Sequence, residues 1–308
     1  MQNLIPARPA YKKERRTVGY MLLAQFLLLL AARFFAHLFS FSDILFLMAP
    51  VTAAIAFGPP LFAYFFYRGR TYTKALRLQA SRRVHLPLLI FAFIALFFGT
   101  FLLSVLTGGL DALGNSVATF SESPTDETLA LLLSLVTVGV FPAVLETLCF
   151  FGVAATEYER RGSFRAILMT ALLFALMHFD ATNLPAYLFA GALYVLVLYA
   201  TNSLIAVGVL HVLYTVISLL THRYLVALYH FTGTVQLFLF FFILFAVGAL
   251  ILFCRAAARI YRLRDEKGLQ RPRRDVPYNV QFYTVLDALT DPAVIGCMIV
   301  AVIGFILL

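Results

Sequence analysis

The sequence contains no tryptophan, three cysteines and few charged residues, and each shortage excludes a class of protein. Only 13% of its 308 residues are charged and 62% are apolar, whereas soluble domains rarely exceed about half apolar residues. The cysteines lie in apolar runs at unrelated spacings, which excludes a disulfide framework and a CxxC metal motif. Without tryptophan, any aromatic belt at the membrane interface must be built from the 15 tyrosines.

Acidic residues are also scarce, since 15 aspartates and glutamates stand against 24 lysines and arginines and leave a formal net charge of +9. In a soluble protein this excess of positive charge would suggest a nucleic-acid partner. Here the basic residues lie in short segments beside apolar runs, the pattern that fixes orientation in a membrane. We therefore expect no nucleic-acid partner. We expect anionic lipid at the basic segments 68–83 and 255–274, which are predicted to be cytoplasmic.

Nine apolar runs approach or exceed the roughly 20 residues that a helix needs to cross a bilayer. The predicted fold class is all-α, a polytopic membrane helix bundle of about nine transmembrane spans with a cytoplasmic N-terminus. The first run lacks a small-residue cleavage site, which favours a retained span over a removed signal peptide. The predicted spans are 18–39, 44–67, 85–106, 129–156, 166–178, 184–200, 204–220, 234–254 and 293–308.

Three ionisable residues interrupt different apolar runs: Glu146 in the fourth span, His178 in the fifth and His211 in the seventh. An ionised group in the hydrocarbon region costs about 2.5–3.5 kcal/mol, so such residues usually mark a functional site. A helix rises about 1.5 Å per residue, which places the three residues roughly 15, 18 and 12 Å from the cytoplasmic side. Their shared depth predicts one polar site between helices.

Arg33, near the outer end of the first span, is expected to extend toward the interface.

One carboxylate and two imidazoles can carry out hydrolysis in two ways. The carboxylate can take a proton from water while one imidazole holds that water or relays the proton. The second imidazole can then donate to the developing oxyanion. Alternatively, two histidines and one glutamate are an adequate set of zinc ligands. Both routes act on a carbonyl compound, for which a peptide bond is the natural choice, although the HExxH and GxGD protease motifs are missing.

The motifs around these residues resemble the CPBP family, which contains type II CAAX prenyl endopeptidases and bacteriocin-processing membrane enzymes. The FxxxH motif of that family is present from Phe174 to His178, within the segment ERRGSFRAILMTALLFALMH. The next motif is present as HVLYT, in which His211 is followed by Thr215 where the family usually has asparagine. The resemblance covers about residues 128–222.

The first motif of the family, EExxxR, is altered in this chain. Pro142 and Gly152 align Glu146 with the first glutamate of the motif. Thr147 replaces the second glutamate, and Phe151 replaces the arginine. These changes remove groups that would brace Glu146. The chain is therefore either an active enzyme or a catalytically inactive relative that binds peptide or protein partners.

The resemblance implies an intramembrane endopeptidase in a bacterial cell membrane, acting on a peptide or protein substrate. Glu146 with His178 would activate the attacking water, His211 would help to stabilise the oxyanion, and Thr215 could donate a further hydrogen bond. If zinc binds, Glu146, His178 and His211 would be its ligands. The alternative role of Thr215 is a hydrogen bond to its own helix backbone. Cys149 could be a nucleophile, although a small buried residue is the more common role.

The resemblance also divides the chain into three predicted regions. Residues 1–127 contain three spans and an outer amphipathic segment, residues 128–222 form the CPBP-like core of four helices, and residues 223–308 contain the C-terminal spans and a basic cytoplasmic loop. A proton-coupled transporter with a Glu–His relay is a third hypothesis. It is less favoured because the sequence shows no internal repeat and no paired helix breaks.

Overall fold

The chain is helical in every segment that the structure describes. The structure is a computed structural model, and it describes residues 8–38, 45–69, 76–108, 132–133, 135–232, 234–266 and 278–307. Within these ranges the chain forms helices and short turns and no strand, which confirms the all-α fold class. The predicted amphipathic segment lies outside the described residues beyond Gly108, as does the part 267–277 of the basic loop.

Ten helices of 12 residues or more are described, the fourth changes helix type along its length, and a short 3-10 helix, Arg83–His85, precedes the third. In chain order they are α1 Arg8–Leu38, α2 Leu45–Arg68, α3 Leu86–Gly108, α4 Leu135–Glu159, α5 Ser163–Met177, α6 Leu184–Thr201, α7 Leu204–Thr232, α8 Val235–Glu266, α9 Tyr278–Leu289 and α10 Pro292–Leu307.

Each of the nine predicted spans corresponds to a helix or to a helix pair. Seven of them are long and apolar enough to cross a membrane: α1, α2, α3, α4, α6, α7 and α8. The ninth is a pair, α9 and α10, which is bent by 61° and would make an eighth span if it crosses as one unit. The fifth, α5, has 15 residues and is about 22 Å long, less than the roughly 30 Å hydrocarbon core. The protein is an integral membrane helix bundle.

Small residues bring the helices around the central segment into close contact. On α6, a Cβ atom placed at Gly191 would lie 2.9 Å from the Cα atom of Ala171 on α5, so this approach requires glycine. On α1, a Cβ atom at Gly19 would lie 2.8 Å from the Cβ atom of Ala293 on α10. Helix α1 therefore packs tightly against α10, and it supplies side chains to the polar site of the central helices.

Candidate active site

Glu146 lies where α4 changes from one helix type to another. The helix is π-helical over Leu135–Val140, α-helical over Phe141–Glu146 and π-helical again over Thr147–Ala154. π-helical turns are rare and occur frequently at functional sites. A wider turn begins directly after Glu146, and the side chains of Glu146 and Thr147 both reach one imidazole on α7.

That imidazole belongs to His211. Its Nε2 atom lies 3.6 Å from Oε2 of Glu146, and its Nδ1 atom lies 3.2 Å from the hydroxyl oxygen of Thr147. The carboxylate favours a proton on Nε2, so the Thr147 hydroxyl is then the donor to Nδ1. The side chains of His211 and Glu146 are 6% and 15% exposed. The pair is therefore buried between helices, and the Glu146 carboxylate is the more accessible member.

A distance of 3.6 Å is too long for a direct hydrogen bond between these two groups. A water or substrate oxygen at hydrogen-bond distance from both atoms must therefore lie beside the line that joins them. The structure thus brings Glu146 and His211 together in an arrangement that leaves their facing atoms available.

His178 ends α5, and its environment explains the FxxxH spacing. Its Nδ1 atom donates to the backbone carbonyl of Phe174 over 2.8 Å, one helical turn earlier. The carbonyl can only accept, so Nδ1 carries the proton and Nε2 of the neutral ring keeps its lone pair. The ring of Phe174 lies 4.8 Å from the His178 ring and 5.8 Å from the His211 ring, measured between centroids. Phe174 therefore orients one imidazole and contacts both.

The two remaining candidates from the sequence are each bonded to another group of the chain. The hydroxyl of Thr215 donates to the backbone carbonyl of His211 on its own helix over 3.0 Å. Its role as a donor to substrate stays a prediction. The thiol of Cys149 is fully buried and donates to the side-chain carbonyl of Gln25 on α1 over 2.6 Å. This contact is what a small buried cysteine makes.

Arg33 on α1 reaches inward to the site, whereas sequence analysis predicted that it would extend toward the interface. Its Nη1 atom donates to the backbone carbonyl of His178 over 2.6 Å. Its guanidinium also lies over the ring of Phe179, 5.6 Å from the centroid, and its charge interacts with Glu146 and Asp180. A depth estimate along α1 contains no information about which direction the side chain takes.

Two tyrosines on α6 also line the site, and sequence analysis missed both. The ring of Tyr187 stacks on His178 at 3.8 Å and 16°. The ring of Tyr194 lies 4.7 Å from that of His211 at 39°. The two tyrosines are seven residues apart and so share one face of the helix. Their hydroxyls in an otherwise apolar helix were the signal available in the sequence.

The described residues do not offer a set of metal ligands. Among them, no three histidine, cysteine, aspartate or glutamate side chains converge closely enough to hold a metal ion. The predicted zinc ligands Glu146, His178 and His211 therefore do not form a preassembled metal centre, and the chemistry below uses only groups of the chain.

A comparison with protein families gives a match over the central segment. Residues 128–217 match the family model described as type II CAAX prenyl endopeptidase Rce1-like. No curated protein matches the chain, and no solved structure matches it. The matched residues include Glu146, His178, His211 and Thr215, and at the level of the family they indicate an intramembrane protease for peptide or protein substrates at the membrane. The central segment of this membrane helix bundle therefore carries the Rce1-like pattern of the type II CAAX prenyl endopeptidases, as the resemblance predicted.

Proposed function

We propose that the protein is an intramembrane endopeptidase that hydrolyses a peptide bond with water activated by Glu146. The observation that carries this proposal is the pairing of a carboxylate with an imidazole between buried helices, 3.6 Å apart, inside the segment that matches the Rce1-like family. Structural carboxylates between helices normally pair with a cation or form direct hydrogen bonds. This one faces a neutral ring without a direct hydrogen bond, so both groups can contact a water or substrate oxygen placed beside them.

The two imidazoles are held in opposite tautomers, which suits two different tasks. Nε2 of His178 keeps a lone pair because Nδ1 donates to Phe174. It can accept a proton from water or pass one on. Nε2 of His211 carries a proton because it faces the Glu146 carboxylate, and Nδ1 then accepts from Thr147. It can donate to an oxygen on which negative charge develops.

The reaction then proceeds without a covalent intermediate. Glu146, assisted by His178, removes a proton from water, and the water oxygen attacks the carbonyl carbon of the peptide bond. The carbonyl oxygen gains the negative charge, and His211 donates a hydrogen bond to it. The carbon–nitrogen bond then breaks, and the proton held at Glu146 passes to the leaving amine. Water is consumed, and a carboxylic acid and an amine are formed, which exchange a proton to give the carboxylate and the ammonium ion.

Thr147 and Arg33 support the site in place of the family residues that this chain lacks. Thr147 stands where the family has a second glutamate, and its hydroxyl contacts His211. Phe151, in the arginine position, is fully buried against Phe174 and Tyr194 and carries no charge. Arg33 brings a guanidinium to the site from α1. The positive charge thus comes from a different helix.

We place the enzyme in a bacterial cell membrane with its N-terminus in the cytoplasm. The CPBP-like core at residues 128–222 would hold the chemistry between the flanking regions 1–127 and 223–308. Anionic lipid would bind the basic segments. On the described part of the second segment, Arg255, Arg259 and Arg262 are exposed and follow one face of α8, as a surface for lipid headgroups requires.

The test is cleavage of peptides by the purified protein in detergent or in vesicles, read by mass spectrometry across a broad library. Wild type should release defined products, and Glu146→Gln or His178→Ala should abolish release. Glu266→Gln is the matched control, since this glutamate is exposed at the end of α8. If wild type and the two site variants behave alike across the library, the proposed peptidase activity is refuted.

The second candidate function is a binding protein without catalysis, favoured by the replacement of the family arginine with buried Phe151. Such a protein would capture peptide or protein partners through the same helices. Its partners should be recovered equally by wild type and by Glu146→Gln, with no cleavage by either. Loss of binding in Glu146→Gln together with cleavage by wild type would favour the peptidase.

A further inference from the structure

Tyr194 differs from the other aromatic residues around the site in having a buried polar atom without a protein partner. Its side chain is fully buried, and its hydroxyl has no hydrogen-bond partner among the residues that the structure describes. A hydroxyl removed from water and left unbonded is unfavourable. Buried polar atoms are normally bonded to protein or to ordered water. A phenylalanine would fill the same space without this cost.

The neighbours of Tyr194 restrict where the hydroxyl can find a partner. Two are the apolar rings of Phe151 and Phe174, at centroid distances of 5.1 and 6.2 Å. The third is the imidazole of His211 at 4.7 Å. The phenol also interacts electrostatically with Glu146 and with Tyr214, and the hydroxyl of Tyr214 already donates to Thr100 over 2.9 Å. The Tyr194 hydroxyl is not bonded to Tyr214, and Glu146 and His211 are the other polar groups among these neighbours.

The site also needs a further donor at this place. Sequence analysis assigned the second donor to Thr215, but that hydroxyl donates to the backbone of its own helix. His211 alone then faces the developing charge, whereas oxyanions are usually held by at least two donors. A phenol remains protonated at neutral pH and can supply one hydrogen bond.

We propose that Tyr194 is a further catalytic residue, whose hydroxyl donates, beside Nε2 of His211, to the carbonyl oxygen of the peptide bond. In the resting protein a water molecule takes the place of that oxygen, with Tyr194, His211 and Glu146 as three polar neighbours, the number typical of buried waters. During hydrolysis the phenol donates to the oxyanion beside His211. The assignment of a catalytic role depends on the peptidase activity proposed above, whereas the bound water does not.

The first measurement is the kinetics of Tyr194→Phe, which removes one oxygen atom and keeps the ring. We expect kcat to fall about 100-fold, as for the loss of one oxyanion donor, with KM changed by less than about twofold. The thermal midpoint should stay close to that of wild type, because the hydroxyl forms no bond to the described protein. A packing defect would instead lower the thermal midpoint.

Tyr199→Phe is the matched control on the same helix. Tyr199 is also buried, but its ring lies beneath the guanidinium of Arg77 at 5.7 Å, away from the site residues described above. Its variant should retain wild-type kcat and KM. If Tyr194→Phe also retains wild-type kcat while wild type cleaves peptide, the proposal for Tyr194 is overturned and the peptidase stands.

The second measurement does not need a substrate. An experimental structure at a resolution that shows water should place one water molecule within about 3.2 Å of the Tyr194 hydroxyl and of the Glu146 carboxylate. In Tyr194→Phe that water should be lost or displaced. If wild type does not cleave peptides but this water is present, the proposed peptidase activity is refuted. The binding of the water by Tyr194 is then still supported. A Tyr194 hydroxyl bonded to a protein group, with no water present, would overturn the proposal even in an active enzyme.

Discussion

Carboxylates at the basic end of the bundle have arginine partners, whereas the carboxylate in the middle of α4 has an imidazole. Glu157 accepts from Arg68 on α2 and lies 3.1 Å from Arg160. Glu159 accepts from Arg77 in the segment before α3. We call these five residues the ion-pair cluster, and Glu146, Thr147, His178 and His211 the site cluster. In the first, each carboxylate is neutralised by a cation. In the second, Glu146 and His211 remain 3.6 Å apart.

The difference separates a structural use of charge from a chemical one. A buried carboxylate with cationic partners on other elements fixes those elements relative to each other, and loss of one partner is costly. A carboxylate beside a neutral ring gives less stabilisation and is available to accept a proton. The glutamates of both clusters lie on α4, where Glu157 and Glu159 follow Glu146 by 11 and 13 residues. The same helix thus performs both tasks, and substitutions should separate them.

The largest predicted effects come from exchanging glutamate for glutamine in each cluster. Glu157→Gln should lower the stability of the folded protein by about 3 kcal/mol, because two arginines lose their charged partner at a buried site. Its activity per folded molecule should persist. Glu146→Gln should have the opposite profile, with cleavage abolished and the thermal midpoint kept. Thermal unfolding followed by circular dichroism, together with peptide cleavage, measures both. If both variants lose stability and cleavage to a similar extent, the two clusters do not have separate structural and chemical roles.

The next effect concerns the hydroxyl that orients His211. Thr147→Val keeps the shape of the side chain and removes the donor to Nδ1. We expect kcat to fall about 10-fold, since groups that orient a catalytic imidazole contribute about this much. Thr221→Val is the matched control, because its hydroxyl bonds the carbonyl of Ile217 on its own helix over 2.7 Å. A control variant as slow as Thr147→Val would mean that valine in a buried helix, and not the lost donor, causes the defect.

The centre of the site could be predicted from the sequence because ionisable residues are conspicuous in apolar helices. Glu146 and His211 lie on separate spans, and the rise per residue along each helix places them at a similar depth in the membrane. The spacing from Phe174 to His178 has a local cause, the hydrogen bond across one turn. These features depend on short-range geometry and on the cost of burial, and both are visible in a sequence.

The surroundings of the site could not be predicted, because they depend on how helices rotate against each other. Arg33 turns inward to the carbonyl of His178, although its depth allowed either direction. Tyr187 and Tyr194 look like ordinary apolar packing until their helix is placed beside the histidines. The π-helical turns on both sides of Glu146 follow from hydrogen bonds that no local sequence pattern specifies.

A smaller effect is expected at Arg33, which connects α1 to the site cluster. Arg33→Gln removes the charge near Glu146, and a shorter side chain will hold the carbonyl of His178 less well. We expect kcat to fall about 3- to 10-fold, since a charge-assisted hydrogen bond is worth roughly 1.5–3 kcal/mol and glutamine retains part of it. Arg33→Lys should lie between glutamine and wild type. If kcat of Arg33→Lys is no higher than that of Arg33→Gln, the site depends on the geometry of the guanidinium and not on its charge.

The smallest effect is expected at the exposed ion pair of Arg161 and Asp287, which joins the turn after α4 to α9. The two groups are 2.9 Å apart, and their side chains are 35% and 46% exposed. Exposed pairs contribute about 0–1 kcal/mol, and salt screens them further. Arg161→Ala should therefore shift the thermal midpoint by at most a few degrees at low salt and by less at 1 M salt. The buried Glu157 substitution should keep most of its effect at high salt. A large decrease of the thermal midpoint in Arg161→Ala that salt does not reduce would mean that α9 depends on this contact. The exposure of an ion pair would then not predict how much the pair stabilises the protein.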